Sequence, residues 1–177
     1  VYKRQASQLS GCETKPMTDL TQIAVVGVGH LGRHHARKIL ASPRAKLAAL
    51  VDLDEARAQT VADELETDTV VANDIRSLHG ELDAVGIAAT TSAHHAIALA
   101  AAQLGLHALI EKPIAPTPVE AQAMLDAMTA AGKVLQVGHT ERFNPAIQSV
   151  LDMKPAPLYI TAERLAPFSG RSVDVDV

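Results

Sequence analysis

The chain has 177 residues, 47% of them hydrophobic and 20% charged, enough apolar material for one solid core and part of a second. Its net charge is −4 with no long basic or acidic block, so nothing in it attracts nucleic acid or an anionic membrane. No stretch is long and apolar enough to cross a bilayer, and the single cysteine, Cys12, cannot form an internal disulfide, which together point to the cytoplasm.

Residues 1–16 are expected to be a disordered or non-native tail, with Met17 as the natural start. Leu9-Ser10-Gly11-Cys12 has the outline of a lipoprotein cleavage site, but Lys3, Arg4, Gln5, Ser7 and Gln8 stand where a signal peptide needs an apolar run. Ile23, Ala24, Val25 and Val26 form a short apolar, β-branched run that predicts a strand buried on both faces. A glycine-rich turn follows, then a helix over 33–41 with Ala36, Ile39 and Leu40 inward, closed by Pro43. A second strand is predicted over 46–51. Asp54 caps the next helix, whose inner face is Ala58, Val61, Ala62 and Leu65. Val70 and Val71 make a short third strand, and Ile75, Leu78 and Leu82 line a weak helix after it. A fourth strand over 84–89 leads through Thr90, Thr91 and Ser92 into an alanine-rich helix opened by His94 and ending near Gly105. The fifth strand, 107–110, ends at Glu111-Lys112-Pro113. Thr117-Pro118-Val119-Glu120 is a capping box that starts a helix with Ala121, Met124, Leu125 and Met128 inward, ended by Gly132. A sixth strand over 134–137 precedes a helix begun at Asn144-Pro145, carrying Ile147, Val150 and Leu151. Strand and helix alternate throughout, which predicts a doubly wound, mostly parallel sheet. After Pro155 and Pro157, Leu158, Ile160 and Ala162 alternate with Tyr159, Thr161 and Glu163, the pattern of a strand buried on one face.

Gly27-x-Gly29-x-x-Gly32 would be weak evidence alone. Here it follows a predicted strand and opens a predicted helix, and Asp52 stands at the end of the next strand, 20 residues after Gly32. That is the dinucleotide fingerprint. Gly27 permits the tight turn, Gly29 lets the backbone approach a pyrophosphate on the helix N-terminus, and Gly32 lets helix and strand pack closely. Asp52 would accept from the adenosine ribose hydroxyls and repel a 2′-phosphate, so NAD is expected in preference to NADP. Arg57, a turn into the helix, reads as a solvated residue rather than one that softens this choice. Lys112, at the carboxyl end of a parallel strand, faces the crevice where such sheets bind ligands.

Gly27-Val28-Gly29-His30-Leu31-Gly32-Arg33-His34-His35, the Thr90/His94 turn, Glu111-Lys112-Pro113 and Gly138-His139-Thr140-Glu141-Arg142-Phe143-Asn144-Pro145 occur in that order. Together they resemble the glucose–fructose oxidoreductase, inositol dehydrogenase and rhizopine catabolism (Gfo/Idh/MocA) family, over about residues 20–177. The resemblance implies an α/β fold: a Rossmann NAD(P)-binding domain over 17–154, then an α/β substrate domain of which 155–177 would be the truncated first strand. It implies hydride transfer between a sugar-like hydroxyl and NAD(P), with Lys112 catalytic. Implied cofactor contacts are Gly27, Gly29, His30, Leu31, Asp52, Thr90, His94 and Glu111, joined by Gly32 from the fingerprint and by Lys112. Arg142 and Asn144 are implied at the substrate. The family's acid/base histidine lies beyond Val177, so the chain as given is expected to bind NAD without turning over. The longer form is expected to be a homo-oligomer through that later domain. The segment from Gly138 and the run Glu163-Arg164-Leu165-Ala166-Pro167-Phe168 look most like the branch acting on UDP-N-acetylglucosamine at its 3-hydroxyl.

The alternative from another class is a non-catalytic NAD-binding or sensing module, which would not need Lys112. A methyltransferase also has a glycine-rich first turn, but gives Glu111-Lys112-Pro113 no role. His34-His35 and His94-His95 are adjacent pairs whose side chains diverge on a helix, and no carboxylate or cysteine completes a ligand set, so no metal is expected. His79 and His107 read as ordinary surface or strand-edge residues, and His139 ends the sixth strand without a physical reason to assign it to the crevice.

Overall fold

The computed structural model describes residues 20–78, 82–154, 156–161, 163 and 165. The tail, Met17, His79 and residues 166–177 of the expectations above lie outside them. Six strands form one sheet: β1 (Thr21–Val26), β2 (Ala45–Val51), β3 (Val70–Ala72), β4 (Ala84–Ile87), β5 (His107–Ile110) and β6 (Leu135–Val137). Five helices connect or follow them: α1 (His30–Leu40), α2 (Glu55–Glu64), α3 (Thr91–Gln103), α4 (Pro118–Ala130) and α5 (Pro145–Asp152). The strand order is β3-β2-β1-β4-β5-β6. Every neighbouring pair is parallel. The chain winds outward from β1 in one direction and then, from β4, in the other. Connections therefore diverge between β1 and β4, and a crevice opens at the carboxyl ends of those strands.

Alternation along the strands divides the core into two, with a register shift in β2 at Ala48 that leaves Leu47 and Leu50 on the same face. Ala24, Val26, Ala49, Val51, Val85 and Ile87 face α3 and α4, where Ala98, Ala101, Met124 and Met128 are buried. Val25, Leu47 and Leu50 face the opposite way, onto Ala36 of α1 and Ala58, Val61 and Ala62 of α2. Alanine on the helices brings them close to the sheet, which is how a chain with 2% aromatics still closes its core.

The structure differs from expectation at several boundaries, among them β4, which ends at Ile87 rather than 89, and in two whole elements. α1 starts at His30 rather than 33, directly from the turn, and α3 starts at Thr91 rather than His94, with Thr90 as N-cap. After β3 there is a single 3-10 turn, Ile75–Ser77, in place of a helix. Asp74 ends the preceding stretch by accepting from the Arg76 N–H, and Leu78 is already extended. Leu158, Tyr159, Ile160 and Thr161 were expected in a strand. Among the described residues they have no regular secondary structure, and Leu158 and Ile160 are largely exposed. A strand exists only against a partner, and no described segment offers them one.

Candidate cofactor and active site

Gly27 has φ of 83°, the left-handed region, and a Cβ there would lie 2.5 Å from the backbone of Ala89. At Gly32 a Cβ would lie 1.8 Å from the Gly27 carbonyl oxygen. Those two glycines are required by the protein's own packing. Gly29 is different: a Cβ there meets nothing within 4 Å. The space beside Gly29 belongs to no part of the described chain. Gly29 is also the N-cap of α1, which has no side-chain cap and no acidic residue in its first turn. The N-cap of α3, Thr90, makes no side-chain cap bond either. By contrast, Asp54, Thr117 and Asn144 cap α2, α4 and α5 with their side chains. The two helices flanking the switch point between β1 and β4 thus keep open N–H groups where an anion can sit.

A crevice of about 540 Å³ runs from this turn along the ends of β1, β2 and β4, and Gly27, Gly29, Asp52, Ala89 and Thr90 line it. Asp52 is only 9% exposed. Its Oδ2 accepts the Val28 N–H at 2.9 Å and its Oδ1 the Asp54 N–H at 3.0 Å. A carboxylate has about four lone-pair sites; the two N–H groups take two and a longer Arg57 contact takes a third, so ribose hydroxyls have one open site and compete with Arg57 for another. Asp52 therefore braces the glycine turn as well as facing the crevice. Arg57, expected to be solvated, is half-exposed but swings back, with Nη1 3.5 Å from Asp52 Oδ1 and Nη2 3.3 Å from Asp54 Oδ2. Asn73 and Arg76 also line the crevice, and no motif points to either. His30 and Leu31, at the start of α1, are exposed beside the turn.

At the end of β5, Lys112 is exposed and the Lys112–Pro113 peptide is cis. Glu111 behind it is 8% exposed, and its Oε1 lies 2.8 Å from Nε2 of His35. The sequence presents His35 only as half of an adjacent pair. The signal was available in the helix period: Gly32, His35, Ala36 and Ile39 share one face of α1, and that face packs on the sheet. His94 corrects an expectation. It is 1% exposed, with Nδ1 3.1 Å from the Pro113 carbonyl oxygen and Nε2 3.1 Å from that of Ala89. It ties the loop after β4 to the loop after β5, and its ring is taken up by protein carbonyls rather than offered to a ligand. Asn144 is likewise engaged: its Oδ1 accepts the Ala146 N–H at 3.0 Å and its Nδ2 donates to Glu141 at 2.8 Å. Arg142 is exposed in the 3-10 turn Thr140–Phe143, beyond β6, and its carbonyl accepts from the Gln148 side chain. Turn, Asp52 and Thr90 come together in one crevice. Glu111 and Lys112 stand one strand further along, and Arg142 and Asn144 lie beyond β6.

The pattern of the oxidoreductase family Gfo/Idh/MocA, NAD-binding Rossmann fold, matches residues 21–139. Over 154 residues the chain is 45% identical to UDP-N-acetylglucosamine 3-dehydrogenase of Acidithiobacillus ferrooxidans, covering 86% of this chain and 48% of that protein. It is 34% identical to the NAD(+)-dependent scyllo-inositol 2-dehydrogenase of Bacillus subtilis, over 73% of this chain and 39% of that one. A solved structure of the Acidithiobacillus enzyme superposes with a TM-score of 0.79 at 42% identity, covering 89% of this chain and 52% of that one. The myo-inositol dehydrogenase of Lactobacillus casei, solved with NAD(H) and myo-inositol, superposes with a TM-score of 0.72 at 26% identity, over 77% of this chain and 41% of that one. The chain spans about half or less of the length of these relatives. With its parallel sheet, its glycine turn and its matched span, this chain belongs to the Gfo/Idh/MocA oxidoreductase family, and its described residues form that family's NAD-binding Rossmann fold.

Proposed function

We propose that the protein works as an NAD-dependent oxidoreductase on a secondary hydroxyl of a sugar or sugar nucleotide, with the 3-hydroxyl of UDP-N-acetylglucosamine as the preferred substrate position. The observation that carries this reading is Lys112, exposed after β5, one strand beyond β4 at the carboxyl end of the parallel sheet, the same end as the glycine turn. NAD, when bound, supplies the hydride acceptor or donor. Gly27, Gly29 and the open N–H groups of α1 hold its pyrophosphate, and Asp52 receives its adenosine ribose hydroxyls and disfavours a 2′-phosphate. Thr90 and the exposed His30 and Leu31 border the path between the two ends. The Lys112 ammonium donates to the substrate hydroxyl oxygen, orienting the carbon that exchanges hydride and stabilising negative charge on that oxygen. His94 acts by positioning, through the Ala89 and Pro113 carbonyls. Arg142 reaches toward substrate from beyond β6, and Asn144 supports it as the cap of α5. The similarity to a UDP-N-acetylglucosamine enzyme at 45% identity supports the sugar-nucleotide choice.

The reading takes in a second domain following residue 154, homo-oligomerisation through that domain, and work in the cytoplasm without nucleic acid or membrane. No helix among the described residues is long and apolar enough to cross a membrane. The test is Lys112→Ala in the protein carrying its substrate domain. Turnover of UDP-N-acetylglucosamine should fall roughly 10²–10⁴-fold while NAD affinity changes little. Equal losses in both would make Lys112 a cofactor anchor, and undiminished turnover would end the catalytic reading.

A further inference from the structure

Three elements converge on the carboxyl group of Glu111. From α1, His35 Nε2 lies 2.8 Å from Oε1. From the chain's own continuation, the Lys112 backbone N–H donates to Oε2 at 3.3 Å. From the end of β6, Gly138 packs so closely that a Cβ there would meet Oε1 at 3.2 Å and Oε2 at 3.4 Å. The side chains of His35 and Glu111 are 24% and 11% exposed, so their contact is largely shielded from water. A carboxyl group that far from solvent depends on the donors the protein gives it. The neighbouring His34 does not compete, since its ring turns the other way and meets His30 edge-on at 4.8 Å between centroids.

We propose that His35 is a positioning residue: by holding the Glu111 carboxyl group it fixes the backbone of Lys112, and so sets the lysine relative to the helix whose N-terminus faces the glycine turn. The inference rests on the reading of Lys112 given above. His35 acts through Glu111, and Gly138 is the opposite jaw of the same clamp. The helix that holds phosphate and the strand end that presents the lysine are thereby joined by one side-chain pair, independent of the backbone ladder.

The test uses the 15N-labelled 177-residue chain and reads amide hydrogen exchange at Lys112. In His35→Ala, exchange at Lys112 should accelerate at least tenfold while amides of β1 and β4 keep their protection. His35→Gln, whose Nε2–H can still donate, should restore exchange to within threefold of the unmodified chain. Gly138→Ala pushes the carboxyl group from the other side and should accelerate Lys112 with His35 intact, a measurement that stands even where His35→Ala does not fold. Exchange at Lys112 within twofold of the unmodified chain in Gly138→Ala or in a folded His35→Ala overturns the proposal. So does a His35→Gln chain that exchanges as fast as His35→Ala. Failure of the cofactor reading shows separately, as loss of NADH binding in the unmodified chain, and failure of the catalytic reading as undiminished turnover in Lys112→Ala.

Discussion

Gly29 and Gly32 belong to one motif, yet the structure assigns them opposite consequences. An alanine at Gly29 meets no protein atom within 4 Å, and the residue's φ of −66° is open to any side chain. Folding stability should therefore change by less than about 1 kcal/mol. The methyl group would instead occupy the space through which a pyrophosphate approaches the amides of α1. A charge-assisted hydrogen bond contributes about 1.5–3 kcal/mol, so displacing one should weaken NADH roughly 10–100-fold. Gly32→Ala is the counterpart. Its Cβ would start 1.8 Å from the Gly27 carbonyl oxygen, so α1 and the turn must part by more than about 1 Å. Backbone meets backbone there, and overpacking of that kind costs about 2–3 kcal/mol, or roughly 5–10 °C in Tm. Thermal melts and NADH fluorescence titrations on the two variants read both quantities. A Gly29→Ala chain that binds NADH as tightly as the unmodified one would refute the placement of the pyrophosphate, whatever the melts show.

Asp52→Ala should do two things at once. It removes the acceptor of the Val28 and Asp54 N–H groups, lowering stability by roughly 2–4 kcal/mol, and it narrows the NADH-over-NADPH preference at least threefold. Unchanged selectivity in a titration would remove Asp52 from the ribose site. His107 predicts a pH effect on stability. Its Nδ1 accepts the Val134 N–H, and burial first, then the Lys133 charge, hold its pKa below the ordinary 6.5, against a smaller opposing pull from Asp83. The unfolded chain thus binds this proton more readily, so the contribution is complete above about pH 6.5 and is lost as pH falls from there through the lower folded value. Denaturant melts from pH 7.5 to 5 should show His107→Gln losing less stability on acidification than the unmodified chain, and parallel curves would contradict this.

The architecture was legible because its determinants are local. Apolar β-branched runs such as 23–26, the Thr117–Glu120 capping box and the strict alternation of strand and helix each point to the same doubly wound sheet. That the glycine turn and Asp52 meet at one crevice was legible because the fingerprint sets an acid at the next strand end, and those are sequence distances. What stayed hidden depends on long-range meetings. His35 and Glu111 are 76 residues apart and touch only because β5 lies on the same sheet as β1. His94 was read as a ligand contact because its burial against Ala89 and Pro113 is a tertiary fact. Leu158, Ile160 and Ala162 carry strand periodicity, but periodicity states which face would be buried and cannot supply the neighbouring strand.

The claim on which all else depends is that this chain holds NAD between the glycine turn and Asp52. Titrating the 177-residue chain with NADH and with NADPH, by fluorescence at fixed ionic strength, tests it most directly. Saturable NADH binding at least tenfold tighter than NADPH, a difference of about 1.4 kcal/mol, is the predicted result. Tighter binding of NADPH, or no binding of either dinucleotide by the folded chain, would contradict it.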